Sequence, residues 1–304
     1  MHISAAENLP VRNAVPALRA ALEDRGAAVL AAPPGTGKTT LVPLALAGLA
    51  LGGPPAAGRV LVLEPRRLAA RAAARRMAWL LGERVGEQVG VTVRGENRPG
   101  ARVDVVTTGV VLQRLQSDPE LAGVGTVILD ECHERHLDAD TALAFLLDVR
   151  ATLRPDLRLV AASATVDTGP WARLLGDGGP APVVETPAAL HPVETVWSPP
   201  PRPAAPPHGM RVDPAFLAHV AGTVRRALAE RDGDVLCFLP GAGEIARVAG
   251  LLGDVAAEVL QVHGQAPPKV QDAVLARSSH RRVVLATSVA ESSLTVPGVR
   301  TVVD

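Results

Sequence analysis

The chain has 304 residues, enough for two medium-sized α/β domains, which excludes a peptide-sized module. Hydrophobic residues make up 47% and charged residues 20% of it, a composition typical of a folded globular protein and not of a disordered or fibrous one. The 31 basic and 31 acidic side chains cancel, so a binding site for a polyanion must be local.

Apolar runs typical of strands alternate with stretches rich in Ala, Leu and Arg that are typical of helices. The strand-like runs are residues 27–33, 59–65, 103–109, 126–131 and 157–165, and, further along, 234–240, 258–264, 281–288 and 299–304. A proline-rich insert at about 198–212 separates the two sets. The pattern predicts two α/β domains with parallel sheets, residues 1–182 and 183–304. The second is expected to be incomplete, because the chain stops directly after an apolar run.

Cysteine content and hydropathy predict a cytoplasmic protein that does not span a membrane. Cys132 and Cys237 are too few for a disulfide framework and lack the spaced partners of a zinc site. The N-terminus has no basic region followed by an apolar core, and the longest apolar stretch, 41–51, is interrupted by Pro43 and Gly48.

A glycine-rich loop, APPGTGKT at residues 32–39, follows the first strand-like run and precedes a helical one. Gly35 and Gly37 let the backbone curl so that its N–H groups face phosphate, and the helix N-terminus adds a positive dipole. Lys38 would neutralise phosphate charge and Thr39 would ligate Mg²⁺. The alternative is a glycine turn that only caps a helix.

Two adjacent acids, Asp130 and Glu131, end a later strand-like run in the segment VILDECHERH at 127–136. Buried acids of this kind need a cation. Asp130 is expected to hold Mg²⁺ and Glu131 to orient and deprotonate an attacking water. A solvated strand end is the alternative, made less attractive by the phosphate loop earlier in the same alternating pattern.

Neighbouring residues offer weaker signals. His133 and His136 invite a zinc interpretation, but a third spaced ligand is lacking. Cys132 is expected to be a small buried residue, since no dedicated base accompanies it. Ser163 and Thr165, in the SAT that closes another strand, would by themselves indicate only a cap or turn.

Taken together and in this order, the segments resemble the DEAH-box nucleic-acid helicases of superfamily 2, most closely their bacterial HrpB-type branch. The similar strings are APPGTGKTT (32–40), EPRRLAARAAARRMA (64–78), VRGEN (93–97), TTGVVLQRL (107–115), DECHERHLDAD (130–140), SAT (163–165), DVLCFLPGAGEI (234–245) and LATSVAESSLTVPGV (285–299). The resemblance implies two tandem RecA-like P-loop domains, the second incomplete, that bind ATP or another nucleoside triphosphate with Mg²⁺ and act on single-stranded RNA or DNA.

The resemblance also implies roles for individual residues. Catalytic residues would be Lys38, Asp130, Glu131 and His133, and metal ligands Thr39, Asp130 and Glu131. Nucleotide-binding residues would be Gly35, Thr36, Gly37, Lys38, Thr39, Thr40, Arg76, Ser163, Thr165, Ser288 and Glu291. The nucleic-acid track would include Arg66, Arg67, Arg94, Thr107, Arg114, Gly241 and Thr287. Arginines and hydroxyls bind phosphate without reading bases, so this grip would be independent of sequence.

The chain departs from the family pattern in four places. Cys132 replaces the usual alanine, and Gln113 stands where the family has arginine, although Arg114 is adjacent. Leu275 replaces the phenylalanine that would stack on the nucleotide base opposite Arg76, which predicts low base selectivity. The family's Q-x-x-G-R-x-G-R segment, which supplies arginine fingers, is not in this chain. We therefore expect the 304 residues alone to bind ATP but hydrolyse it poorly.

Three functions remain open at this point. The first is an ATP-dependent RNA helicase or translocase. The second is a P-loop ATPase of another kind, a transporter ATPase or protein remodeller, that does not act on nucleic acid. The third is a nucleotide-binding or RNA-binding module without turnover. The oligomeric state is left open.

Overall fold

The computed structural model describes residues 8–54, 57–165, 167–187, 192–203, 212–264, 266–276, 278–288 and 296–304. Chain contacts divide the protein into two compact units, Met1–Leu190 and His191–Asp304. The division falls later than the expected 182, because residues 183–185 form a strand of the first sheet and pair with residues 29–31. Of the proline-rich insert, residues 204–211 lie outside the described part of the chain.

The elements of the first unit alternate between strands and helices. The strands are β1 (Ala27–Ala31), β2 (Arg59–Glu64), β3 (Val89–Val93), β4 (Glu96–Arg98), β5 (Val103–Thr107), β6 (Val124–Leu129), β7 (Arg158–Ser163) and β8 (Val183–Glu185). The helices are α1 (Val15–Arg25), α2 (Lys38–Leu46), α3 (Arg67–Leu81), α4 (Thr108–Ser117), α5 (Leu137–Thr152) and α6 (Gly169–Leu175). Short 3₁₀ turns cover Pro10–Ala14 and Cys132–Glu134.

These strands form one sheet in the order β4-β3-β5-β2-β6-β7-β1-β8. All pairings are parallel except that between β3 and β4, which form a hairpin. Every strand-like run predicted in this half is a strand, whereas β3, β4 and β8 were not predicted as strands. Because parallel strands end at the same edge, the segments that follow β1, β2, β5, β6 and β7 lie side by side.

Helices cover both faces of this sheet, so its central strands are apolar on both sides. Val60 and Val62 of β2 belong to a core shared with α1, α2 and α3. Leu61 and Leu63 of the same strand belong to a second core shared with α4, α5 and α6. This continuous burial explains why these strands read as unbroken apolar runs in the sequence.

The second unit is a smaller α/β structure. Its elements are α7 (Pro214–Glu230), β9 (Asp234–Phe238), α8 (Ala242–Leu251), β10 (Glu258–Val262), α9 (Pro268–Leu275), β11 (Arg282–Ala286) and β12 (Val299–Val303). The four strands are parallel in the order β10-β11-β9-β12. Its core includes Leu217, Val224, Cys237, Ile245 and Leu285. In the described segments of the whole chain, no helix is long and apolar enough to cross a bilayer.

Candidate active site

The carboxyl edge of the large sheet gathers the polar residues that end its strands. Along this edge lie Thr107 of β5, Glu64 of β2, Asp130 after β6, Ser163 of β7 and the glycine-rich loop after β1. The Asp130 amide donates to the carbonyl of Leu63, 3.0 Å away, so the acid sits directly beside the end of β2. Sheet order therefore creates one site from segments far apart in the chain.

The glycine-rich loop has the curled backbone that phosphate binding requires. Gly35 and Gly37 have φ values of 78° and 94°, a region that favours glycine. A Cβ at Gly37 would also lie 2.7 Å from the Leu9 side chain. The carbonyl of Thr36 accepts from the Val11 amide at 3.1 Å, which ties the loop to the 3₁₀ turn at the start of the described chain.

Thr36 and Thr40 make hydrogen bonds within the glycine-rich loop. The Thr36 hydroxyl donates to the Pro33 carbonyl at 2.7 Å, and the Thr40 hydroxyl donates to the Gly37 carbonyl at 3.4 Å. Thr36 is buried. These contacts stabilise the curled loop at the N-terminus of α2.

Lys38 and Thr39, the first residues of α2, contact the two acids after β6. Lys38 Nζ donates to Glu131 Oε1 at 2.8 Å, and the Thr39 hydroxyl donates to Asp130 Oδ2 at 2.5 Å. All of these side chains are buried except that of Thr39, which is partly so. Burial alone would lower the pKa of Lys38, but Asp130 and Glu131 outweigh it and raise the net pKa. Lys38 is therefore an ammonium ion.

Glu131 is held in an unusual backbone conformation at the tip of β6. Its φ of 51° is left-handed, which costs about 1–3 kcal/mol for a residue other than glycine. Burial, and then the charge of Asp130, raise its pKa to about 7, while Lys38 opposes the shift. A carboxyl group with a pKa near neutrality can exchange a proton with water, which is what a general base requires.

Glu64, the last residue of β2, is a member of this cluster that sequence reasoning missed. It is 1% exposed, and its pKa is raised well above the usual value by burial and by Asp130 and Glu131. Its carboxyl group lies within hydrogen-bonding reach of that of Asp130. The sequence carries only a weak signal for it, a single acid directly after the apolar run 60–63.

His133 connects Glu131 to the end of β7. Its Nδ1 accepts from the Ala164 amide at 3.4 Å, and its Nε2 lies 3.5 Å from Glu131 Oε2. Burial, and then the charge of Lys38, lower the pKa of His133. The Ser163 and Thr165 hydroxyls lie 3.0 Å apart in the same loop. Because His133 contacts both this loop and Glu131, its imidazole links the two.

A second set of contacts surrounds Glu134. Its Oε2 accepts from Arg66 Nη2 at 3.2 Å and lies 2.6 Å from His136 Nε2. Arg66, expected on the nucleic-acid track, is therefore half-buried and ion-paired, whereas the adjacent Arg67 is exposed. The difference arises because Arg66 precedes α3 beside the acidic turn, a contact that sequence spacing does not reveal.

The zinc alternative and a reactive Cys132 find no support in the described part of the chain. No group of three or more His, Cys, Asp or Glu side chains there could hold a metal ion unaided. Cys132 is 3% exposed, and burial, followed by the charges of Asp130 and Glu131, raises the pKa of its thiol to about 12. It is a small buried residue, as expected.

The other residues expected to contact nucleic acid in the first unit differ in accessibility. Arg94 is exposed in the turn of the β3–β4 hairpin. Thr107 is buried at the end of β5, and Arg114 is half-buried on α4, beside the exposed Gln113. Arg94 and Arg67 are therefore the most accessible arginine side chains of this set.

Residues expected to act from the second unit lie at the carboxyl ends of its strands. Gly241 precedes α8, after β9, and a Cβ there would lie 2.8 Å from Glu244 Oε2. Thr287 and Ser288 follow β11, and the Thr287 amide donates to the Val262 carbonyl at 3.1 Å. Glu291 lies outside the described residues.

Arg76, expected to stack on the nucleotide base, stacks on Trp79 one turn along α3. Its guanidinium carbon lies 4.3 Å from the indole centroid, within the range of a cation–π contact. Both side chains are exposed on the helix surface. Leu275, at the end of α9, is half-buried.

The donor set at the sheet edge fits a magnesium ion carried in with phosphates. The available donors are the hydroxyl of Thr39 and the carboxyl groups of Asp130 and Glu131, all hard oxygen ligands. Mg²⁺ typically keeps several waters and takes one or two carboxylates plus substrate phosphates.

A parallel sheet whose first strand leads into a glycine-rich loop, with a lysine facing the acids of a nearby strand, defines the P-loop class of proteins. The family model for DEAD/DEAH box helicases matches residues 12–171, and that for the helicase conserved C-terminal domain matches residues 219–304. The chain therefore belongs to the DEAD/DEAH box helicase family. The expected fold of two RecA-like domains is confirmed.

Among curated proteins, the ATP-dependent RNA helicase HrpB of Escherichia coli (strain K12) is 44% identical over 98% of this chain and 36% of its own length. The ATP-dependent RNA helicase HrpA of the same organism is 33% identical over 98% of this chain and 22% of its own length. A crystal structure of the Escherichia coli DEAH/RHA helicase HrpB superposes with a TM-score of 0.83 and 42% identity, covering 97% of this chain and 36% of that one. The chain thus spans about a third of HrpB and less of HrpA.

Proposed function

We propose that this chain is the ATP-binding and nucleic-acid-binding part of an ATP-dependent RNA helicase or translocase. The observation that carries the proposal is the double contact of the glycine-rich loop with the acids after β6: Lys38 with Glu131 and Thr39 with Asp130. The similar proteins HrpB and HrpA are both named ATP-dependent RNA helicases. The chain covers only part of each, so the activity, substrate and partners of the whole protein belong to this proposal.

The residues of the site would each have a separate role in ATP hydrolysis. Thr39 and Asp130 would hold Mg²⁺, which when bound neutralises phosphate charge. Lys38 would exchange its contact with Glu131 for the nucleotide phosphates. Glu131, freed from that contact, would accept a proton from the attacking water. His133 would transmit the change to Ser163 and Thr165, because it contacts both Glu131 and the loop after β7.

Single-stranded RNA is the proposed nucleic acid, with DNA as the alternative. The exposed side chains of Arg67 and Arg94 would bind backbone phosphate in the first unit, and Gly241 and Thr287 would contribute in the second. Contacts of this kind position a strand without reading its sequence. A cytoplasmic location is part of the proposal, supported by two free, buried cysteines.

Nucleotide binding is tested with a fluorescent ATP analogue and Mg²⁺. Lys38→Ala should abolish measurable binding, since it removes the cation that faces the phosphates. The matched control is Lys269→Ala, because Lys269 is the only other lysine of the sequence and is exposed on α9. Glu131→Gln should bind nucleotide normally and lose turnover. Equal binding by the Lys38 and Lys269 variants would refute the site.

Nucleic-acid dependence is tested by titrating single-stranded RNA and DNA at several salt concentrations. We expect RNA to bind more weakly as salt rises, because phosphate contacts release counterions. Arg67→Ala together with Arg94→Ala should flatten that dependence. An ATPase that neither RNA nor DNA affects, with salt-independent binding, would instead favour another kind of P-loop ATPase.

A further inference from the structure

Glu64 is the most deeply buried acid at the candidate active site. It ends β2 between β5 and β6, and 1% of its surface is exposed. One of its carboxyl oxygens, Oε2, is fully buried without a hydrogen-bond partner among the described residues. A buried acceptor in this condition normally costs folding free energy, so its presence needs a reason.

The charges around Glu64 do not balance. Lys38 is the cation that opposes the rise in the pKa of Glu64, and it is hydrogen-bonded to Glu131. Asp130 and Glu131 are acids like Glu64, and their negative charges raise its pKa. Three carboxyl groups therefore surround one ammonium group, and a divalent cation would favour the ionised form of all three.

A role in folding does not explain this arrangement. Buried acids that stabilise a fold have a cation or several donors of their own, as Asp234 has in Arg282 of the second unit. Among the described residues, Oε2 of Glu64 has no hydrogen-bond donor, and the carboxyl group of Glu64 makes a side-chain hydrogen bond with another acid, Asp130. A buried acid at this position therefore favours the binding of a cation and lowers the stability of the protein without one.

We propose that Glu64 is a positioning residue for the divalent metal that accompanies the nucleotide. Its carboxyl group acts through Asp130, which it contacts, and through the water shell of the ion. The inference rests on the proposed function, since it presupposes a metal–nucleotide complex at this site. Outer-shell groups of this kind typically change metal affinity by about 10- to 100-fold.

The experiment measures binding of a fluorescent ATP analogue to the 304-residue chain while Mg²⁺ is titrated. Glu64→Gln keeps the size and shape of the side chain and removes its charge. The matched control is Glu185→Gln, which changes an exposed acid at the end of β8 on the same sheet. We expect Glu64→Gln to raise the Mg²⁺ concentration for half-maximal binding by about tenfold. The Glu185 variant should match the unmodified chain.

Two further readouts separate metal positioning from a structural role. In EDTA, the nucleotide affinity of the Glu64→Gln chain should not fall, and its melting temperature should be unchanged or higher. Glu64→Asp, which retains the charge, should lie closer to the unmodified chain than Glu64→Gln in Mg²⁺ dependence. A structural role would instead lower the melting temperature and reduce affinity equally with and without Mg²⁺.

An unchanged Mg²⁺ dependence of Glu64→Gln, or the structural pattern just described, would overturn the inference. Either result would leave the proposed function intact if the Lys38→Ala chain still failed to bind. Failure of the unmodified chain to bind nucleotide at any Mg²⁺ concentration would overturn both. The two hypotheses are thus distinguished within one set of titrations.

Discussion

Arg282 is a buried residue whose hydrogen bonds join several segments of the second unit, and its replacement should destabilise that unit strongly. This arginine is 1% exposed at the start of β11. Its Nε donates to Asp234 Oδ2 at 2.8 Å, and its backbone amide donates to Asp234 Oδ1 at 2.9 Å. Its Nη atoms also donate to the carbonyls of Ala273, Ala276 and Pro297, at 3.0, 2.9 and 2.6 Å. One side chain thus ties together the start of β9, the end of α9 and the segment before β12.

The expected cost of Arg282→Met follows from these contacts. Removing one partner of a buried ion pair costs about 3–5 kcal/mol, mainly because Asp234 is left buried without its cation. The three carbonyls that lose a donor add to the upper end of this range. With a sensitivity of about 4–8 °C per kcal/mol, the melting temperature of the unit should fall by at least about 12 °C.

The assay is native-state hydrogen exchange of the β9 and β11 amides in the 304-residue chain, supported by urea unfolding. Arg247→Met is the matched control, since Arg247 is exposed on α8, and it should change stability by less than about 0.5 kcal/mol. Adding Asp234→Asn to Arg282→Met should recover part of the loss, because it removes the uncompensated charge. A loss below about 1 kcal/mol for Arg282→Met, or a double variant as unstable as the sum of the singles, would refute this reasoning.

Two further predictions concern titration and reactivity. A base acts only when deprotonated, so with the pKa of Glu131 raised to about 7, kcat/KM for ATP should fall with decreasing pH below about 7 and level off above it. His133, whose pKa is lowered, should not produce that limb, and a pH–rate profile without an acid limb near neutrality would contradict the assignment. Burial raises the thiol pKa of Cys132 and Cys237 to about 12, so a disulfide reagent should label both far more slowly in the native chain than in urea. Rapid labelling of the native chain would show that one of these sites is open.

The candidate site could be predicted where residue type and strand position carry the signal. Lys38 and Thr39 follow the first strand, and Asp130 and Glu131 follow a later one, so parallel pairing was enough to expect them at one edge. Glu64 was missed because a single acid before a proline looks like an ordinary strand end. Its burial beside Asp130 depends on β2 pairing with β6, which local sequence does not show.

Side-chain partners were the least predictable feature. Arg66 and Arg67 are adjacent and chemically identical, yet one is ion-paired with Glu134 and the other is exposed. The strand β8 was also not foreseen, because three residues that follow a glycine-rich stretch carry too short a pattern. Its pairing with β1 moves the division between the units to Leu190.

The amino-acid sequence by itself determined the alternation of strands and helices, the phosphate loop and the acids of β6, because apolar periodicity and local turn chemistry act over a few residues. The tertiary structure alone decided which strands are neighbours. It thereby decided that Lys38 meets Glu131, that His133 reaches the loop after β7, and that Glu64 lies beside Asp130 without a cation of its own. These contacts join residues tens of positions apart, and their energies depend on burial and on the sum of nearby charges. Both quantities exist only once the sheet is assembled.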